Sequence, residues 1–171
     1  MIFITGAEGF IGKYLMEELA KKDKIIAGYY AKEIEKKENI IPIYCDVRNK
    51  KNIEKILRIY EPNYIYHLAA QSYPAYSWRY PKLTIVTNVI GTINIFESVK
   101  KIGLDTKIFV ACSSAEYGIT YDIPIKEENP LQPLHPYGVS KVAQDLIAYQ
   151  YFKNFGIKCV RGRIFNTTGP G

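Results

Sequence analysis

Long hydrophobic runs are missing from this sequence, and no apolar stretch approaches the roughly 20 residues that a membrane-spanning helix needs. Cysteine is scarce: Cys45, Cys112 and Cys159 each sit in an apolar, strand-like run, without metal-ligand spacing. An odd number of buried-looking thiols points to a reducing compartment, and no metal site is expected. No basic tail or arm is present. The 23 Lys and Arg against 17 Asp and Glu are scattered, so the net charge of +6 suits an anionic nucleotide but gives no sign of nucleic acid. An apolar run followed by a glycine turn begins at Met1 itself, so no secretory leader is expected and the cytoplasm is the expected location. Internal repeats, low-complexity tracts and linkers are also absent. At 171 residues, with 47% hydrophobic and 23% charged side chains, the chain reads as one globular domain.

What is present is an alternation of short apolar runs with helical periodicities. Ile2-Phe3-Ile4 reads as a buried parallel strand. Thr5-Gly6-Ala7-Glu8-Gly9-Phe10-Ile11-Gly12 follows, and Tyr14, Leu15 and Leu19 continue at helical spacing. Strand, glycine turn and helix together form the context in which glycines mean dinucleotide binding, because backbone N–H groups and the helix dipole can then face a pyrophosphate. Lys24 to Tyr30 reads as a second strand. An acid at its end would hold an adenosine ribose and an Arg would suit a 2′-phosphate. Neither stands there, and Lys32 and Glu33 follow, so the cofactor is NADP or NAD with a lean to NADP. Ile40 to Tyr44 reads as a third strand leading to Asp46-Val47. Asp46 could meet an adenine amino group or cap the helix over Asn49 to Tyr60.

Tyr64 to Ala70 reads as a fourth strand ending in small residues, with His67 packed in it rather than catalytic. A long helix is expected from Thr84 to Lys101, interrupted by Asn88 and Gly91, whose placement suggests contact with something nearby. The fifth strand, Lys107 to Cys112, ends in Ser113-Ser114, hydroxyls at the edge that open α/β sheets turn to their ligands. Further on, in Pro136-Tyr137-Gly138-Val139-Ser140-Lys141, Pro136 is expected just before a helix that sets Tyr137 and Lys141 one turn apart on one face. A cation fixed beside a phenol is expected to pull its pKa below the usual value of about 10, readying it for proton transfer. Lys158 to Ile164 is the sixth strand. Six strands alternating with helices imply a Rossmann-like, doubly wound parallel sheet with helices on both faces, an α/β fold.

Taken together, the glycine loop, Asp46-Val47, His67-Leu68-Ala69-Ala70, Ser113-Ser114, Tyr137 with Lys141, and Phe165-Asn166 resemble the extended short-chain dehydrogenase/reductases that act on nucleotide sugars. Within that NAD-dependent epimerase/dehydratase family, the stretches His67 to Ser72, Ser77-Trp78, Pro136 to Lys141 and Arg163 to Gly171 look closest to GDP-4-keto-6-deoxymannose reductases and GDP-mannose 4,6-dehydratases. The resemblance implies that Tyr137 transfers the proton, Lys141 binds the nicotinamide ribose and tunes Tyr137, and Ser113 holds the reacting oxygen. It implies cofactor contacts at Gly6, Gly9, Phe10, Ile11, Gly12, Asp46, Val47, Leu68, Ala69, Ala70, Asn88, Tyr137, Lys141 and Phe165. Substrate contacts fall on Gln71, Ser72, Ser113 and Asn166.

Two departures stand out. Dehydratases of this type place an acid two residues after the catalytic hydroxyl, to take the sugar's C5 proton. Here that position is Ala115, with Glu116 beside it. Family members also continue past the position of Gly171 into a lobe that closes over the sugar nucleotide, so residues 1–171 are expected to be the dinucleotide-binding domain with the C-terminal substrate lobe missing. The expected activity is NAD(P)-dependent reduction of a GDP-4-keto-6-deoxyhexose at C4. The alternatives are a 4,6-dehydratase, a 4-epimerase, or a truncated non-catalytic dinucleotide-binding module. A GDP-sugar and a second copy of the chain are the expected partners. Residues 165–171 are expected to lack anything to pack against.

Overall fold

The computed structural model describes residues 1–121 and 123–170. Six strands, β1 (Ile2–Thr5), β2 (Ile25–Tyr29), β3 (Ile40–Tyr44), β4 (Tyr64–His67), β5 (Lys107–Ser113) and β6 (Cys159–Ile164), form one sheet in the order β3-β2-β1-β4-β5-β6. Every pairing is parallel. The order reverses between β1 and β4, and there the strand ends open a crevice suited to a ligand. Each expected strand is found within a few residues of its expected bounds. β4 is shorter than expected: pairing stops at His67, and Leu68 to Ala70 leave the ladder as a loop along that crevice.

Around the sheet lie α1 (Phe10–Leu19), α2 (Lys50–Tyr60), α3 (Pro74–Arg79), α4 (Pro81–Ile85), α5 (Gly91–Ile102) and α6 (Pro136–Phe155). Strand side chains alternate, so Phe3, Ile26, Ile65 and Ile108 meet α2, α5 and α6 in the larger core, while Ile2, Ile4, Ile25 and Ala27 meet α1. α2 buries Ile53, Ile56 and Leu57, one face of a helix, and the Asn49 side chain caps it by accepting from Asn52 N. Asp46 therefore does not cap this helix. α6 starts at Pro136 rather than after it, because a proline needs no N–H partner in a first turn; His135 caps it by accepting from Gly138 N. No helix among the described residues is long and apolar enough to cross a membrane.

The expected helix from Thr84 begins earlier, at Pro81, and widens to a π-turn over Val86–Ile90 before continuing as α5. Asn88 sits in that turn. A π-turn inserts a residue into the helical ladder and redirects its neighbours, which is why such turns mark constrained places. Gly91 follows where an added Cβ would lie 2.8 Å from the Val47 side chain, so α5 can approach the β3 end only without one.

The glycine loop is held by two close approaches. Gly6 has φ +70° and would place a Cβ 2.9 Å from the Ala69 backbone. A Cβ at Gly12 would stand 2.3 Å from the Gly6 carbonyl oxygen. At Gly9 the nearest atom lies 3.2 Å away. Gly12→Ala should therefore cost about 1–3 kcal/mol of overpacking and lower Tm by several degrees, whereas Gly9→Ala should change Tm far less. Equal melting shifts for the two variants would show that the loop is not packed as described.

Candidate active site

Ser113 is the last residue of β5, and a short 3₁₀ turn over Ser114–Glu116 follows it. The Ser113 hydroxyl accepts from Ala115 N at 3.1 Å, while its backbone N–H donates to the Glu116 carboxylate at 2.9 Å. These reciprocal bonds fix where β5 ends. From the neighbouring α6, Tyr137 and Lys141 face the same place. Lys141 Nζ donates to the Ala111 carbonyl at 2.7 Å and lies 5.7 Å from the Tyr137 ring centre. The ammonium is almost fully buried, and that burial lowers its pKa to about 8.

The expectation that Lys141 acidifies Tyr137 is corrected here. Burial raises the Tyr137 pKa above its ordinary value, and the opposing influence is a hydrogen bond with Ser113 rather than the lysine. Lys141 spends its nearest hydrogen bond on Ala111, so its charge is not aimed at the phenol oxygen.

Glycine loop, strand ends, Ser113, Tyr137 and Lys141 together line a cavity of about 900 Å³. Gly6, Gly9, Phe10, Ile11 and Gly12 line it, as do Asp46, Val47, Leu68, Ala69 and Ala70. Gln71, Ser72, Ser113, Tyr137, Lys141, Phe165 and Asn166 complete the set of sequence-selected residues on its wall. Asn88 is the exception. It is fully buried behind the wall, where its amide donates to Ser140 Oγ at 2.8 Å and to the Gln71 carbonyl at 3.1 Å and accepts from Gln71 N at 2.7 Å. Ser140 Oγ in turn donates to the Tyr137 carbonyl at 2.6 Å. The π-turn directs Asn88 to these neighbours, so it braces Gln71 and α6 instead of lining the cavity.

His67 is likewise a structural group. Its ring bridges Thr5 at 2.9 Å and Thr92 at 3.0 Å, and burial lowers its pKa to about 3, with the Lys141 charge adding to the effect. At the opposite end of the cavity, Asp46 accepts from Arg48 Nε and Nη2, both at 2.8 Å, and this pairing lowers its pKa. Arg48 also stacks on Tyr30 at 4.9 Å and donates to its hydroxyl at 2.7 Å. Sequence reading passed over Tyr30 and Arg48; the Asp46-Val47-Arg48 spacing was the available signal for the second.

Glu116 lies close to Ser113 but does not join it on the wall. Its carboxylate is fully buried and off the cavity wall, between the Ser113 N–H and Arg163 Nε at 3.3 Å. Arg163 is shared with Asp145 at 2.9 Å, and Arg161 pairs with Asp145 as well. Cys112, Glu116 and Asp145 thus lie close enough to suggest a metal cluster, but the guanidinium groups already occupy the carboxylates. Burial pushes the Glu116 pKa up to about 7, against the lowering by the Ser113 N–H.

Phe165, Asn166 and Thr167 line the cavity, and the chain runs on through residues 168–170. Contrary to expectation, this segment does find contacts. Phe165 packs near Tyr117, the Tyr14 hydroxyl donates to the Pro170 carbonyl, and Gly169 approaches the Phe10 ring. Gly171, the last residue of the motif read from the sequence, lies outside the described residues.

A glycine loop at the switch point of a doubly wound sheet, facing a Ser, Tyr and Lys from β5 and α6, defines an extended short-chain dehydrogenase/reductase. The chain belongs to the GDP-mannose 4,6-dehydratase family, whose description matches residues 3–171. It is 32% identical to the GDP-mannose 4,6-dehydratase of Vibrio cholerae serotype O1, over 98% of this chain and 49% of the relative. Two solved structures are similar. One is the UDP-glucose 4-epimerase of Thermus thermophilus in complex with NAD, with 27% identity, TM-score 0.87, and coverage of 95% of this chain and 54% of that one. The other is RMD from Pseudomonas aeruginosa complexed with NADPH, with 28% identity, TM-score 0.82, and coverage of 99% and 54%. The chain spans about half the length of the curated relatives it matches.

The raised Glu116 pKa has a testable sign. Between pH 4.5 and about 7 the folded carboxyl keeps a proton that the unfolded chain releases, so its contribution to stability falls as pH rises through that window. Glu116→Gln retains an acceptor for the Ser113 N–H and cannot ionise. Its Tm relative to the parent should rise between about pH 5 and about pH 7.5. A difference that stays flat across that range would contradict the assignment.

Proposed function

We propose that this chain carries the dinucleotide-binding and catalytic part of a nucleotide-sugar oxidoreductase acting at C4 of the hexose. The reading rests on one observation: Ser113, Tyr137 and Lys141 converge on the glycine-loop cavity, and no carboxylate on the described wall lies beside them. Glu8 and Asp46, the acids on that wall, stand at the Tyr30 end.

The residues present fit a nicotinamide dinucleotide. Gly6 and Gly12 admit no side chain, and the loop presents the N-terminus of α1 to the cavity, an arrangement that accepts a pyrophosphate. Phe10 and Ile11 would hold that pyrophosphate, Asp46 and Val47 the adenine, and Leu68 to Ala70 the nicotinamide end with Lys141. When bound, such a dinucleotide supplies or accepts the hydride. Tyr137 keeps its proton at neutral pH because burial raises its pKa, so it acts as the acid toward the C4 oxygen. Ser113, hydrogen-bonded to the phenol, steadies the same oxygen. Gln71, Ser72 and Asn166 lie where the sugar would enter.

In the first reading the chain serves reduction of a GDP-4-keto-6-deoxyhexose, with NAD or NADP as the oxidised product. A second reading, 4-epimerisation, is favoured by the likeness to the Thermus UDP-glucose 4-epimerase and uses the same residues. Dehydration is disfavoured, since Ala115 stands where the C5 base would be and Glu116 faces Arg163. Net consumption of reduced cofactor with the 4-keto sugar nucleotide would mark a reductase; interconversion of C4 epimers without net consumption would mark an epimerase. In either assay, Tyr137→Phe in the active protein should lower turnover about 10²-fold or more and leave cofactor affinity within a few-fold. Turnover close to the parent's would sink the role of Tyr137.

A further inference from the structure

The end of β2 carries no acid, although that is where an unphosphorylated dinucleotide is usually distinguished from its 2′-phosphate. A carboxylate nevertheless stands there, supplied by the glycine loop. Glu8 Oε1 accepts from Tyr30 N at 2.8 Å and from Ala31 N at 3.2 Å, the two N–H groups that follow β2. Its Oε2 is buried without a hydrogen-bond partner. Glu8, Tyr30 and Ala31 share the cavity wall with Asp46 and Arg48.

We infer that Glu8 selects the unphosphorylated dinucleotide, NAD over NADP, by closing the adenosine-ribose end of the cavity to a 2′-phosphate. This rests on the dinucleotide-binding part of the proposed function. A 2′-phosphate needs free N–H donors or a free cation. The two N–H groups are already committed to Glu8. The cation on the Tyr30 side of the wall, Arg48, is committed to both Asp46 oxygens and to the Tyr30 hydroxyl. Asp46 and Arg48 cancel, so the Glu8 charge remains to repel a dianion. Lys32 is exposed and is not part of the cavity wall. On this inference the cofactor is NAD rather than the NADP to which the sequence leans, since an acid from the glycine loop stands in for the one missing at the end of β2.

Binding titrations of the 171-residue chain with NADH and NADPH, followed by nicotinamide fluorescence, test this directly. The parent should bind NADH at least about tenfold more tightly than NADPH. Glu8→Gln can still accept from Tyr30 N and Ala31 N, so it should fold, as its melting curve will report. It should narrow the ratio by strengthening NADPH binding while NADH affinity changes little. The same ordering should appear with 5′-AMP and adenosine 2′,5′-bisphosphate, which carry only the adenosine end. Equal or tighter NADPH binding by the parent overturns the inference, as does an unchanged ratio in a folded Glu8→Gln variant. Binding of neither dinucleotide overturns the dinucleotide reading and this inference with it.

Discussion

The site depends on a buried ammonium that must find an acceptor. Lys141 finds it in the Ala111 carbonyl, and in doing so fastens α6 to the end of β5. A cation left unpaired at such depth would be costly, so the contact tolerates little displacement. With α6 held there, Tyr137 comes to rest against Ser113 at the mouth of the sheet. The far side of the helix is secured through Ser140 and Asn88, which carry the restraint to Gln71 and the loop after β4. Binding wall and catalytic helix are therefore one hydrogen-bonded unit.

Charge is distributed unevenly along the cavity, and that distribution separates the functional readings. At the Tyr137 end Glu116 and Asp145 are turned inward onto Arg161 and Arg163, which leaves a phenol, a hydroxyl and an ammonium on the cavity wall, where the proposed function puts the sugar. Such a set can protonate or deprotonate an oxygen at C4. Among the described wall residues, no carboxylate stands beside these groups to take a proton from carbon. At the Tyr30 end a carboxylate from the glycine loop and a neutralised Asp46–Arg48 pair stand instead, where the proposed function puts the adenosine.

Much of this was legible in the sequence. Parallel strands buried on both faces leave unbroken apolar runs, so β1, β2 and β5 announced themselves, and glycines between a strand and a helix located the loop. Tyr137 and Lys141 were legible because helical spacing places them on one face. The direction of the Tyr137 pKa was not, since burial depends on what covers a residue and not on its neighbour four positions away. Long-range partnerships were equally hidden: Glu8 reaches Tyr30, and Arg163 joins Asp145 to Glu116, across separations that no local pattern encodes. Asn88 drew attention as a poor helix residue, but its use as a brace required the π-turn. The helix expected from Thr84 begins at Pro81, because a proline needs no N–H partner in a first turn.

The central claim is that this site works on the C4 oxygen and leaves C5 untouched. Turnover of the sugar nucleotide in D₂O by the active protein, read by mass spectrometry and proton NMR, tests it most directly. The account predicts product with no deuterium at C5. Deuterium incorporated at C5 during turnover would mean that a base reaches that carbon, and would contradict the orientation assigned to Glu116 and the chemistry built on it.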